Sequence, residues 1–242
     1  MIEVLPETGS TNADLAARIA AGAVLAEGDW LIADRQSAGR GRLGRAWFDG
    51  TGNFMGSTVV RLNPGDPLAG TLALVAGLAL HEAVAPHVPP PRRAELKWPN
   101  DLLIDGAKLS GILLERVGDQ VVVGIGVNLA HAPDLADRQT VALSAFGPAP
   151  DRDHFTASLA GCFATELARW RLAGLEPLIG RWLDAAHAKG TALAVGEPGE
   201  VPLHGAFDGL TSDGALQLRL ADGTRQVIHA GEVRLAAPGE GC

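Results

Sequence analysis

Residues 35–47 carry the chain's most reactive-looking chemistry: four arginines (Arg35, Arg40, Arg42, Arg45) and three glycines (Gly39, Gly41, Gly44), with no acidic residue among them. The whole chain has a formal net charge of −8, so a cationic cluster this dense calls for an anionic guest. Glycine lets backbone N–H groups approach an anion closely. Guanidinium forks match phosphate or carboxylate oxygens and never lose their charge. A solvated basic loop is the alternative. Gly39-Arg40-Gly41-Arg42-Leu43-Gly44 formally spells G-x-G-x-x-G, but a dinucleotide fold needs a helix opening straight after it. Residues 45–53 have no helical period, and no G-x-x-x-x-G-K-[ST] occurs, which excludes both nucleotide motifs.

A second group is built on lysine. The chain has three lysines against seventeen arginines, and two of them, Lys97 and Lys108, lie in Lys97-Trp98-Pro99-Asn100-Asp101 and Lys108-Leu109-Ser110-Gly111. An ammonium is a compact charge that fits between a carboxylate and a phosphate oxygen where a planar fork is too wide. Gly111 inside a strand suggests a ligand passing close to the backbone. Lys108 also suits a solvated strand end, Lys97 a surface strand, and Asn100 and Asp101 a turn. Gly124 and Gly126 weaken a strand unless something large lies against it, and an adenine or a fused ring would fit. Asn128 then either reads a base edge or closes the strand.

The elements that must hold these residues follow from periodicity and turn signals. Leu15 to Ala21 reads as a short helix with Thr11 and Asp14 spaced as a capping box. Trp30 to Ala33 and Asn53 to Leu62 read as strands joined by the arginine loop. Asp66-Pro67 opens a helix running to Ala85, too interrupted to span a membrane. A meander of hairpins covers Glu95–Trp98, Asp101–Ile104, Lys108–Arg116 and Gln120–Leu129. Two helices are expected at Asp151–Leu172 and Glu176–Lys189. From Thr191, short apolar runs between Asp-Gly turns indicate a small all-β unit, so the expected domains are 1–190 and 191–242.

Composition narrows the class. At 47 % hydrophobic and 20 % charged residues, the chain is globular rather than disordered. Cys162 and Cys242 are the only cysteines, which suggests a reducing compartment and neither a disulfide framework nor a cysteine metal site. The N-terminal residues lack a signal-peptide pattern, so a cytoplasmic location is expected. The acidic balance argues against nucleic-acid binding as the main task.

Gly9-Ser10-Thr11-Asn12, Gln36-Ser37-Ala38-Gly39-Arg40-Gly41-Arg42-Leu43-Gly44-Arg45 with Trp47, Lys97-Trp98-Pro99-Asn100-Asp101, Lys108-Leu109-Ser110-Gly111-Ile112-Leu113 and Gly124-Ile125-Gly126-Val127-Asn128 together resemble the biotin protein ligases. The likeness is strong from residue 8 to about 130 and weaker beyond. It implies an α+β fold, with a central mixed sheet flanked by helices and a C-terminal SH3-like barrel. It also implies that biotin and Mg-ATP give biotinyl-5′-adenylate and pyrophosphate, after which a lysine of a biotin carboxyl carrier domain takes the biotin. By resemblance Ser10, Thr11, Asn12 and Gln36 meet the ureido head of biotin, Arg40, Gly41 and Arg42 close over it, and Trp47, Lys108 and Gly111 pack on it. Arg40, Arg42, Arg45, Lys97, Asn100 and Asn128 would serve the nucleotide, and Asp101 its Mg2+. Catalysis would fall to Lys108, Arg42 and Arg45, with Lys108 bridging carboxylate and α-phosphate.

Three further expectations follow. The Gly/Arg loop, lacking apolar anchors before Leu43, should order on ligand binding. The Ser-Thr-Asn block begins at Ser10, which leaves no room for the DNA-binding domain of bifunctional family members and implies a ligase that is not a repressor. Dimerisation through a sheet edge is common in the family, so a homodimer is considered. A lipoate or octanoate ligase shares the chemistry but wants apolar walls in place of Ser10, Thr11 and Gln36. A non-catalytic biotin-binding module would have no use for both Lys108 and the arginines.

Overall fold

The computed structural model describes residues 1–197 and 201–236; Cys242 lies outside them. A seven-stranded sheet runs in the order β1-β2-β3-β7-β6-β5-β4. Its strands are β1 Ile2–Leu5, β2 Trp30–Ala33, β3 Phe54–Arg61, β4 Ala94–Lys97, β5 Asp101–Ile104, β6 Ala107–Val117 and β7 Gln120–Val127. Only β1 and β2 pair in parallel, so the sheet is mixed. The helices are α1 Thr11–Ala20, α2 Leu72–Val84, α3 Arg152–Ala173 and α4 Leu175–Ala185.

Period-two alternation sorts the central strands onto two faces. Trp30, Ile32, Val60, Val121, Val123 and Ile125 join the large core beneath α2, α3 and α4, whereas Leu31, Val59 and Val122 pack with Leu15 of α1. The short helix α1 covers only part of its face. The uncovered rows are rich in glycine and polar residues: Ser57, Gly124 and Leu113 are cross-strand partners, as are Met55, Gly126, Gly111 and Asp101. That bare stretch of sheet is the floor of the site.

The segment Ala69–His87 is the one stretch among the described residues long and apolar enough to cross a membrane, and α2 within it is mostly buried against the sheet and α3. Across α2, α3 and α4, Glu166 is fully buried and ion-pairs with Arg169 and Arg181, and Arg181 also reaches Glu82 at 2.7 Å.

A second, five-stranded antiparallel sheet, the SH3-like unit, has the order β11-β10-β9-β8-β12. It is built from β8 Ala192–Gly196, β9 Leu203–Leu210, β10 Leu216–Arg219, β11 Arg225–Ile228 and β12 Glu232–Leu235. Its Leu193, Phe207, Leu216 and Val233 belong to the same apolar cluster as Leu74, Leu96 and Trp182 of the larger part.

Several local expectations need correction. Ser10, not Thr11, caps α1, its side chain accepting from the N–H of Ala13, while Asp14 accepts from the Thr8 hydroxyl. Thr11 enters the helix because its N–H has a better use in the site. Asp66 does not cap α2; it accepts from the Asn63 N–H, and the helix begins at Leu72 after a 3-10 turn. Helix α4 stops at Ala185, because His187 N–H donates to Leu96 O and the chain turns toward the second sheet.

A cavity on the open face of the sheet

A cavity of about 510 Å³ lies over the glycine-lined floor, and every site residue expected from the sequence lines it. The size suits a small organic ligand. Its walls are the N-terminus of α1, the arginine hairpin, the β5–β6 end of the sheet and the start of β12.

At the α1 end, Gln36 Oε1 accepts from the Thr11 N–H at 2.7 Å, and the Thr11 hydroxyl oxygen lies 3.1 Å from it. The Thr11 and Ser57 hydroxyls lie 2.7 Å apart, and Ser57 donates to Asn12 Oδ1 at 2.6 Å. Ser10, Thr11, Asn12, Gln36 and Ser57 are all buried, giving a pocket of fixed polar groups.

The arginine loop forms a small hairpin between β2 and β3. Gly41 N–H donates to Arg45 O and Trp47 N–H to Gly39 O, with Leu43 and Gly44 at positive φ at its tip. Beyond Leu43, Trp47 pins the hairpin to the floor. A Cβ on Gly126 would stand 2.2 to 2.5 Å from the Trp47 indole, and one on Gly111 would stand 3.1 Å from it. A Cβ on Gly124 would stand 2.1 Å from Asn12 Oδ1. The two strand glycines therefore make room for a fused ring of the chain's own, the Trp47 indole, and for Asn12. The indole Nε1 of Trp47 is buried without a partner.

At the other end, Asp101 sits between two ammonium groups. Its Oδ2 is 2.9 Å from Lys97 Nζ, and its Oδ1 is 2.6 Å from Lys108 Nζ, an ion pair at an angle poor for a hydrogen bond. Burial would raise the Asp101 pKa, but Lys97 and Lys108 together hold it far below the usual carboxylate range. Burial lowers the pKa of Lys108, against the opposing pull of Asp101. Lys97 also donates to Val233 O at 2.6 Å. Asp101, expected as an Mg2+ ligand, thus has both oxygens committed to lysines. Among the described residues no three His, Cys, Asp or Glu side chains cluster as a cation site.

Lys108 reaches this position through an irregularity. Asp101 and Gly111 are partners on the cavity face, so Lys108, three residues before Gly111, belongs on the opposite face of a regular strand. The β5–β6 register shifts between Leu102 opposite Ser110 and Leu103 opposite Lys108, and the extra residue turns Lys108 into the cavity. There its ammonium stands 5.8 Å from the Trp47 ring centroid.

The arginines have partners in the protein. Arg42 donates to Asn100 Oδ1 and to Gly231 O, both at 3.2 Å, and Asn100 donates in turn to Ile112 O. Arg45 pairs with Glu232 at 2.8 Å, and Arg40 stands 3.5 Å from Glu115. Arg35, the fourth, points away to Asp49. Asn128 donates through Nδ2 to Val141 O, leaving its buried Oδ1 unpartnered at the cavity.

Sequence reading missed two residues that line this cavity, Arg138 and Glu232, and one beside it, Glu115. Arg138, from the segment after β7, lines it and lies 3.3 Å from Glu232. Glu232 bridges Arg45 and Arg138, and Glu115 faces the α1 end. Nothing distinguishes these from surface charges in the sequence, because the contacts that tie them to the site, Glu232 with Arg45 and Arg138 and Glu115 with Asn12, join residues 94 to 187 positions apart.

A mixed sheet with a cation-lined cavity on its open face, closed at one end by a small SH3-like sheet, defines a ligase of the kind that activates carboxylic acids. Residues 22–128 match the Biotin/lipoate A/B protein ligase family, and residues 195–235 match the Biotin protein ligase C terminal domain. The chain is 41 % identical over 241 residues to a biotin--[acetyl-CoA-carboxylase] ligase of Paracoccus denitrificans, covering 95 % of this chain and 98 % of that one. Among solved structures it is similar to the biotin protein ligase of Aquifex aeolicus in complex with biotin and ATP, with a TM-score of 0.83, 26 % identity and coverage of 97 % and 99 % of the two chains. It is also similar to the Leishmania major biotin protein ligase in complex with biotinyl-5-AMP, with a TM-score of 0.65, 26 % identity and coverage of 95 % and 98 %. The chain belongs to the biotin protein ligase family.

Proposed function

We propose that this protein is a biotin--[acetyl-CoA-carboxylase] ligase: it joins biotin to ATP as biotinyl-5′-adenylate, releasing pyrophosphate, and passes the biotin to a lysine of a carboxylase's carrier domain, releasing AMP. The observation that carries the reading is the polarity of one cavity. Neutral hydrogen-bonding groups fill its α1 end, and Lys108, Lys97, Arg42, Arg45 and Arg138 gather at the other.

The ureido head of biotin suits Ser10, Thr11, Asn12 and Gln36, whose fixed donors and acceptors a dithiolane or alkyl chain could not use. The tail would then run over Gly124, Gly126 and Gly111, beneath Gly41, Arg40 and Trp47, toward Lys108. At that end Lys108 draws the biotin carboxylate and the α-phosphate together and offsets charge as the acyl oxygen attacks phosphorus. Arg42, Arg45 and Arg138 match the pyrophosphate that leaves. Asn100 acts through Arg42, which it orients, and Asn128 offers Oδ1 as an acceptor to the adenine amino group. Mg2+ would enter with ATP and supply charge screening for its phosphates, while Asp101 stays paired with Lys97 and Lys108. Residues 1–190 would form the catalytic unit and 191–242 the accessory one. The reducing, cytoplasmic setting and a homodimer remain part of this reading, and with a net charge of −8 no operator DNA is bound.

Pyrophosphate exchange into ATP, measured with biotin, lipoate, octanoate or no acid, tests the adenylation half without a carrier. Exchange with biotin alone is expected. Exchange driven by lipoate or octanoate would transfer the chain to the sister activity, and a protein that binds biotin without exchange would be a binding module.

A further inference from the structure

Glu115 on β6 belongs to none of the motifs that carry the family resemblance, yet it ends a chain of buried hydrogen bonds that begins at the α1 end of the cavity. One carboxylate oxygen accepts from Asn12 Nδ2 at 2.7 Å, and the other stands 3.5 Å from Arg40 of the hairpin. Asn12 Oδ1 accepts from Ser57, the Ser57 and Thr11 hydroxyls share a hydrogen bond, and Thr11 holds Gln36 Oε1.

Proton bookkeeping gives the chain a direction. A carboxylate only accepts, so Asn12 must turn its NH₂ to Glu115 and its carbonyl to Ser57. Ser57 then spends its single proton on Asn12 Oδ1 and is left an acceptor toward Thr11. The Thr11 hydroxyl then gives its single proton to Ser57 rather than to Gln36 Oε1, which is held by the Thr11 backbone N–H. With its oxygen held there, the amide of Gln36 presents Nε2 toward the hairpin, where a Cβ on Gly39 would stand 3.2 Å from it. The donor and acceptor roles of Asn12, Ser57 and the Thr11 hydroxyl thus trace back to Glu115, about a third exposed at the rim, while the backbone N–H of Thr11 fixes Gln36 beside them. The Arg40 contact is too long and too exposed to matter comparably.

We propose that Glu115 is a positioning residue for the ureido pocket, setting the polarity of the Asn12–Ser57–Thr11 hydrogen bonds and through them the affinity for biotin. The inference rests on the biotin reading above. A mere structural prop would lower stability and degrade all kinetic constants together; a polarity setter acts on biotin alone.

The test uses the full-length protein. Biotin Kd by calorimetry, KM for biotin and for ATP by pyrophosphate exchange, and Tm are measured for the wild type, Glu115→Ala, Glu115→Gln, Asn12→Ala and the double variant Asn12→Ala/Glu115→Ala. Glu115→Ala should weaken biotin about tenfold, the value of one misaligned hydrogen-bonded group. KM for ATP and kcat should stay within about twofold, and Tm should fall by no more than about 2 °C. Glu115→Gln, which still offers an acceptor to Asn12, should recover part of the loss. In the Asn12→Ala background the loss of Glu115 should add nothing. Unchanged biotin affinity in both single Glu115 variants overturns the proposal. So does a parallel loss in ATP constants and Tm, or additivity with Asn12→Ala. Failure of the wild type itself to bind biotin removes the underlying functional reading, and is seen without any variant.

Discussion

At the scale of single residues the site is dominated by the contest between burial and charge around Asp101. Burial disfavours the charged form of Lys108, and the Asp101 carboxylate at 2.6 Å restores much of it. Substituting Asp101→Asn removes that support, so the Lys108 pKa falls further and the basic limb of the adenylation pH profile should move to lower pH, with the acidic limb unmoved. An unshifted basic limb would show that Lys108 does not need its proton for the reaction. The depressed pKa of Asp101 also contributes stability above its unfolded value of about 4, lost as pH drops toward the folded value. Lys108→Ala separates binding from chemistry: biotin affinity should change by a few fold and adenylation by about 10²-fold or more, as for loss of one preorganised charge donor. Equal losses in both would make Lys108 a ground-state ligand of biotin. The lysines were legible in the sequence because they are rare in an arginine-rich chain. Their shared carboxylate was less so, because Asp101 reads equally well as a turn residue, and Arg138, Glu115 and Glu232 carried no local signal.

At the scale of elements, strands and helices followed their periods, while the devices that aim side chains did not show in advance. The extra residue near Leu109 reverses the facing of Lys108, and no composition marks it. The shift of the α1 cap to Ser10 frees the Thr11 N–H for Gln36, a tertiary contact that a local capping pattern cannot foresee. The glycines of β7 were legible as a place of close approach, but what approaches is Trp47 and Asn12. Gly126→Ala tests this directly. Its methyl would overlap the indole, and the ring cannot give way without lifting the hairpin from the floor. The variant should fold, show altered Trp47 fluorescence, and raise KM for biotin about tenfold or more. A normal KM would mean that the hairpin's seat on β7 is immaterial to the pocket.

At the scale of the molecule, the two sheets share a core and also share the site. Trp98 Nε1 donates to Gly214 O, the His187 and Phe207 rings meet edge to face at 4.5 Å, and burial holds the His187 pKa below its usual value. The start of β12 supplies Gly231 O to Arg42, Glu232 to Arg45 and Val233 O to Lys97. A change in the small sheet's seating would therefore move three cations of the larger part. Apolar burial that continues from α2 into β9 and β10 argues that neither part is stable without the other. The chain offers a way to see this, since its five tryptophans, at positions 30, 47, 98, 170 and 182, all precede the small sheet. In urea, tryptophan fluorescence should report the larger part while far-UV circular dichroism reports both. The two curves should coincide in a single transition. Biotin at about 100 times its Kd should then shift both together, by about 2.7 kcal/mol. Separate transitions, or a ligand shift confined to fluorescence, would mean that the small sheet folds on its own and touches the site only as an attached domain.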